Sequence, residues 1–255
     1  MRHPLRSVSG LFGSKWWTIG FVVALVAWGL HVAALYLAPI SLVQAVLSGG
    51  LVFLAVLAER CFGFKIGKRE WMGVALTALG LAFLGFTIQS GSTGTHSDYS
   101  ISGMIAFEGG MIAVGTLLLL SHRVERVRHQ HGVALAAAAG ILFGVSDIAI
   151  KALTGTVFAD FSTIVSPWTA VALAASIAAF YASARSLQVG EGVSVIAVTT
   201  VAANASAIVG GILVFSDPLG SDVFGIIARA GAFTLVIVAT ALIPAPMRAA
   251  QHAAA

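Results

Sequence analysis

Six polar side chains interrupt otherwise apolar stretches of this chain: His31, Gln44, Glu108, Asp147, Asn204 and Arg229. Ionisable groups in such surroundings cost about 2.5–3.5 kcal/mol each on membrane-insertion scales, so each needs a partner or a purpose. Carboxylates at Glu108 and Asp147 suit cations or protons, and the Arg229 guanidinium suits anionic or polar groups. His31 can exchange a proton near neutral pH. The amides of Gln44 and Asn204 can bridge helices or bind a solute. Nothing here points to covalent chemistry. The chain has no HExxH, no nucleophile elbow and no Walker-type loop. Gly109-Gly110 is no phosphate cradle, because no strand precedes it and no lysine follows. One cysteine, Cys61, excludes an internal disulfide and a cysteine-based metal cluster. His122, His129 and His131 have only Glu125 as a carboxylate neighbour, so no metal site is expected there. The chemistry expected is binding and ion exchange without a cofactor, not catalysis.

The elements that carry these residues follow from composition. Of 255 residues, 58% are hydrophobic and 9% charged, against roughly a quarter charged in soluble domains. A soluble enzyme, a disordered chain and a disulfide scaffold are thereby excluded. A membrane helix needs about 20 mainly apolar residues. The stretches 16–37, 39–58, 71–89, 101–121, 133–155, 166–186, 192–215 and 222–244 meet that need. They predict an all-α polytopic bundle of eight transmembrane helices in one domain, 1–255. Absence of strict alternation argues against a barrel.

Charge then orients the spans. Arg2, Arg6, Lys15, Arg60, Lys65, Lys68, Arg69, Arg123, Arg126, Arg128, Arg185 and Arg248 all fall in alternate connections. The intervening connections, 38–39, 90–100, 156–165 and 216–221, hold no Lys or Arg. By the positive-inside rule both termini are cytoplasmic, in a cell membrane. The net charge of +4 therefore marks a cytoplasmic rim rather than a nucleic-acid surface. The first apolar run is too long for a signal-peptide core of about 7–15 residues, so it reads as a retained span.

A rise of about 1.5 Å per residue sets the polar groups in depth. Glu108 and Arg229 lie about 10 Å below the outer boundary, and Gln44 about 8 Å. Asp147 and His31 lie about 22 Å from the cytoplasmic ends of their spans, hence in the same layer of a core about 30 Å thick. Asn204, with Thr199, Thr200 and Ser206, is nearer the midplane. A polar cavity lined by His31, Gln44, Glu108, Asp147, Arg229 and Asn204 is one reading. Structural pairing is the other: Asp147 with Lys151 at i,i+4, and Glu108 with Arg229 across helices. Lys151, near the outer end of its span, is expected to snorkel. The glycine pairs Gly49-Gly50, Gly109-Gly110 and Gly210-Gly211 suit close helix approach.

The chain also repeats itself. AALYLAPISLVQ (33–44) joins two spans through a kink, and ARSLQVGEGVSV (184–195) does the same in the opposite orientation. Span two closes with Glu59, a linker and a glycine-rich helix, and span seven closes with Asp217, a linker and the last helix. This plan makes 16–89 an incomplete first repeat, 101–121 a linker helix and 133–244 a second, inverted repeat. Inverted repeats are common in secondary transporters, with the site at the repeat interface. At YLAPISLVQAVLSGGLVFLAVLAE (36–59), KREWMGVALTALGLAFLGF (68–86) and 183–243 the sequence resembles the drug/metabolite transporter superfamily, in its EamA-type and NIPA-like branches. The resemblance implies transport by alternating access. It also implies one more helix ahead of the first span, as the partner of 133–155.

Three functions follow as expectations. The first is transport of a small polar or amphipathic solute, with the bilayer and that solute as partners and a homodimer as one assembly. The second is a NIPA-like magnesium transporter. Against magnesium stands a formal charge of zero in the polar layer, where Lys151 and Arg229 balance Glu108 and Asp147. The third is a non-transporting membrane scaffold or subunit.

Overall fold

The computed structural model describes residues 15–62, 68–87, 97–120, 131–190, 192–217 and 223–241. Among them are eight α-helices and a short 3-10 helix. They are α1 (Lys15–Leu37), α2 (Ile40–Phe62), α3 (Lys68–Thr87), α4 (Ile101–Leu119), α5 (His131–Val157), α6 (Pro167–Val189), α7 (Gly192–Val214) and α8 (Val223–Ala241), with the 3-10 turn Phe161–Ile164 between α5 and α6. The basic connector 121–130, including His122, Glu125 and His129, lies outside the described residues, as do 1–14, 63–67, 88–96, 218–222 and 242–255.

Five helices (α1, α4, α5, α6 and α7) contain stretches long and apolar enough to cross a membrane, and shorter apolar runs occupy Ile40–Gly50, Trp71–Leu84 and Val223–Ala239. Large apolar side chains cover the outside: Phe53, Tyr181, Phe224 and Ile177 are all at least 70% exposed. Water would not tolerate so many, whereas lipid tails solvate them freely. The chain is a multi-pass helical membrane protein.

α5 is the hub, packed against α6, α7, α4 and α1. Its sequence, HGVALAAAAGILFGVSDIAIKALTGTV, has Ala or Gly at nine of its sixteen buried positions. A Cβ on Gly144 would stand 2.7 Å from the Ser206 Cβ, and one on Gly132 would stand 2.6 Å from the Gly190 Cα. Small side chains thus let the backbones approach closely, the main route to helix association in lipid. Ser146 Oγ adds a bond to the Ala172 carbonyl at 3.1 Å on α6 and meets Ser176 Oγ at 2.7 Å. A second layer pairs α3 with α8, where Gly80 admits Val236.

The ends are built from local capping. Ser100 caps α4 by accepting the Gly103 amide at 3.1 Å, and Ser166 caps α6, with Pro167 in its first turn. Asp160 accepts the Ser162 amide at 2.9 Å. That backbone bond, with a further Ser162 contact, holds the exposed Asp160 carboxyl below its ordinary value of 3.8. Tyr99 meets Trp168 and Phe215 edge-on at 6.0 and 5.8 Å, joining the start of α4 to α6 and the end of α7.

Candidate functional site

Between α1 and α2 the helix breaks at Ala38-Pro39. Proline has no amide hydrogen to donate and pushes its predecessor out of helical geometry, so carbonyls at the end of α1 and amides at the start of α2 lose their partners. Members of both sets are satisfied from the second half of the chain. Lys151 of α5, completely buried, donates from Nζ to the Ala38 carbonyl at 2.8 Å and also to the Leu35 carbonyl. Asp217, 6% exposed just past α7, accepts the Ser41 amide at 2.8 Å. A cation therefore meets a helix C-terminus and an anion a helix N-terminus, both favourable against the helix dipole. Asp217 reaches that position through a turn at Ser216, which takes a left-handed φ of 55°.

These placements correct two expectations. Lys151 does not snorkel, because α1 supplies backbone acceptors within reach. Nor does it pair with Asp147 along the helix, because its amine is already held by Leu35 and Ala38. Asp217, placed in an exterior linker by the sequence pattern, is buried because the Ser41 amide of α2 supplies a donor.

One turn before Lys151, Asp147 faces the same junction. Its Oδ1 lies 3.4 Å from His31 Nε2 of α1, and its Oδ2 accepts from Gln44 Nε2 of α2 at 2.6 Å. The three residues that helical rise set at one depth are thus in contact. The His31 and Asp147 side chains remain 13% and 24% exposed. Gln44 is buried, and its backbone carbonyl accepts Ser48 Oγ at 2.9 Å. Ser48 Oγ in turn accepts Asn204 Nδ2 of α7 at 2.5 Å. A continuous polar chain therefore runs from His31 through Asp147, Gln44 and Ser48 to Asn204, drawing on α1, α2, α5 and α7. Among the described residues, His31 Nδ1 has no hydrogen-bond partner. Earlier along α7, Thr199 and Thr200 bond to backbone carbonyls and line a cavity of about 100 Å³ with Ser183, Leu187, Val195 and Ile196.

Glu108 and Arg229 are placed differently. Glu108 is 3% exposed on α4, and among the described residues neither carboxylate oxygen has a hydrogen-bond partner. The cross-helix bond to Arg229 is therefore not made. Arg229 stands on α8, whose packing partners are α3, α7 and α2. Sequence reasoning missed Ser48, Lys151 and Asp217 as parts of this junction. The signal was available for two of them, since Pro39 strands backbone groups that a buried cation and a buried anion would satisfy.

Among the described residues, no group of three or more His, Cys, Asp and Glu is disposed to hold a metal ion. What the cluster offers is one partly accessible carboxylate, an imidazole with a free nitrogen and an amide, at a broken helix. That arrangement suits reversible capture of a small polar or cationic species from water.

Comparison with known proteins agrees with a membrane role. The chain is 24% identical over 94% of its length to an Arabidopsis thaliana protein named "Probable magnesium transporter NIPA9", 72% of which is covered. No family model matches the chain, and no solved structure does. Likeness along nearly the whole chain, together with the apolar helices, supports a membrane transporter.

Proposed function

We propose that this multi-pass membrane protein is a secondary transporter of the drug/metabolite type, with no catalytic step of its own. It moves a small polar solute, positively charged in part, by alternating access between two inverted halves. The first half is α1–α3, the second α5–α8, and α4 links them. The observation that carries the reading is the diversion of Lys151. Its amine is bound to the Leu35 and Ala38 carbonyls and its charge is met by the Asp217 carboxylate, whereas Asp147 is hydrogen-bonded to His31 and Gln44. The charge balance that argued against a cation is therefore broken at the site itself. The helix break supports alternating access, because interrupted helices line transporter sites where backbone dipoles and carbonyls face the cargo.

Magnesium is the specific cargo favoured by the name of the Arabidopsis protein. Magnesium binds through one or two carboxylates while keeping several waters. Asp147, whose side chain is 24% exposed, supplies one carboxylate. Both termini are assigned to the cytoplasm of a cell membrane by the distribution of Lys and Arg.

The test is uptake and binding with purified protein. Proteoliposomes containing a magnesium-sensitive dye are exposed to magnesium chloride, and in parallel the protein is titrated with magnesium and with a panel of small organic cations. Asp147→Asn should lose uptake and weaken binding of the transported species at least about tenfold, the loss of one charge-assisted contact of roughly 1.5–3 kcal/mol. Unchanged uptake and binding in Asp147→Asn would remove the site. Binding of an organic cation but not magnesium would keep the site and change its cargo.

A further inference from the structure

Glu108 plays no part in the polar chain around Asp147, yet it is the carboxylate with most need of a ligand. It is 3% exposed, and among the described residues both oxygens are unpartnered. Its helix packs through Met104, Glu108 and Gly115, the buried positions of α4. Met104, one turn before it, is completely buried in the apolar cluster containing Ile148 of α5 and Ala207 of α7, and Phe107 packs on the same cluster. Two turns after it, a Cβ on Gly115 would meet Leu142 and Ile141 of α5 at ordinary contact distance. Glu108 thus lies where α4 presses on α5 and α7.

The groups able to answer it are few. α4 has no other ionisable side chain, and α7 has none at all. On α5 the charged or titratable residues are His131, Asp147 and Lys151. His131 begins that helix, far from the level of Ile148; Asp147 is engaged by His31 and Gln44; Lys151 is engaged by Leu35 and Ala38. A metal ion would need further oxygen ligands, and among the described residues no cluster of His, Cys, Asp and Glu provides them. An unpaired carboxylate in apolar packing is far costlier than a neutral carboxylic acid. The ligand small enough to satisfy Glu108 without any other partner is a proton.

We propose that Glu108 is a proton-binding site, separate from the Asp147 cluster, and that it supplies the ion to which transport is coupled. The reaction is only the making and breaking of one O–H bond: a carboxylate oxygen takes H+ from water when repacking of α4 against α5 and α7 opens the crevice to one side. The same oxygen returns it to water on the other. Solvent-exposed carboxylate favours the open arrangement, and the neutral acid favours the dry one, so protonation and helix packing drive each other. The coupling role rests on the transport reading above, whereas the proton site stands without it.

Two measurements separate these claims. Infrared difference spectra of the purified protein, recorded between neutral and alkaline buffer, where ordinary carboxylates with pKa values of about 4 are already ionised, should contain a protonated-carboxyl C=O band. That band is absent in Glu108→Gln and shifted in Glu108→Asp. Uptake of magnesium, or of whichever cation the binding panel identifies, is then followed in proteoliposomes across the neutral range. One linked proton changes the apparent affinity of the wild type by up to about tenfold per pH unit. Glu108→Gln, a fixed stand-in for the neutral acid, flattens that dependence, and Glu108→Asp retains it. Persistence of the band in Glu108→Gln overturns the proton site. A band that is lost while the pH dependence stays intact overturns the coupling role alone. Loss of all cation binding in wild type overturns the transport reading and leaves the spectroscopic result standing.

Discussion

Asp147 gathers its partners from two other helices, so its substitutions should separate charge from architecture. Gln44 Nε2 holds Oδ2 at 2.6 Å from a buried position. Replacing it by Leu leaves that oxygen without its donor, in a site where an unmet polar group costs roughly 1–3 kcal/mol. Gln44→Leu should therefore lower the unfolding midpoint measurably in a detergent thermal-shift assay, whereas His31→Gln should affect it less. The His31 contact is longer, at 3.4 Å, and one ring nitrogen is unpartnered already. A larger loss from His31→Gln than from Gln44→Leu would reverse this ranking. A quite different carboxylate sits in the connection between α5 and α6. Asp160 is held below its ordinary value by the Ser162 amide, so its contribution to the turn is present above that ordinary value and fades as pH falls through the lowered one. Hydrogen exchange at the Ser162 amide should accelerate in acid beyond its intrinsic pH dependence, and Asp160→Asn should remove most of that excess.

At the scale of the helices, the break at Ala38-Pro39 is stabilised from a distance by Lys151 and Asp217. Lys151→Met retains the side-chain volume but removes the donor from two carbonyls, and should destabilise the fold by roughly 2–4 kcal/mol. Because Asp217 lies close enough to Lys151 for electrostatic attraction, adding Asp217→Asn should cost less in Lys151→Met than in the wild type. A double-mutant cycle in the thermal-shift assay measures that coupling, and strict additivity would show that the two residues act on separate helix ends. Existence and extent of the elements could be read from the sequence: the first span was expected at 16–37 and α1 covers Lys15–Leu37, while the fifth was expected at 133–155 and α5 covers His131–Val157. Long apolar runs leave helix formation as the way to satisfy every backbone group. Rotation about each helix axis could not be read in that way. Rise per residue placed His31, Gln44 and Asp147 level, but it placed Glu108 level with them too, and only packing turns α4 so that Glu108 faces the Ile148 side of α5. Lys151 was misjudged for the same reason, since its reach depends on which face of α5 meets α1.

For the molecule as a whole, the orientation rests on charge, and one residue is suited to test it. Cys61 is the single cysteine of the chain, and it is exposed as a free thiol near the end of α2. Its sequence neighbours Arg60, Lys65, Lys68 and Arg69 belong to the basic set assigned to the cytoplasm. A membrane-impermeant maleimide added to intact cells should therefore leave Cys61 unlabelled, and brief permeabilisation should expose it to full labelling. The complementary position is Ser162, in the exposed 3-10 turn between α5 and α6. That connection carries no Lys or Arg, and Ser162→Cys in a Cys61→Ser background should label from outside before permeabilisation. Burial does not confound either result, because both sites are exposed. The two probes also test the odd number of crossings between them. α3, α4 and α5 lie between Cys61 and residue 162, so three crossings put the probes on opposite faces, including α3, whose apolar run is shorter than the rest. Labelling of both probes from the same side would mean that one of these three helices does not cross. Labelling of Cys61 alone from outside would keep the bundle and invert it, placing the basic rim and both termini on the exterior.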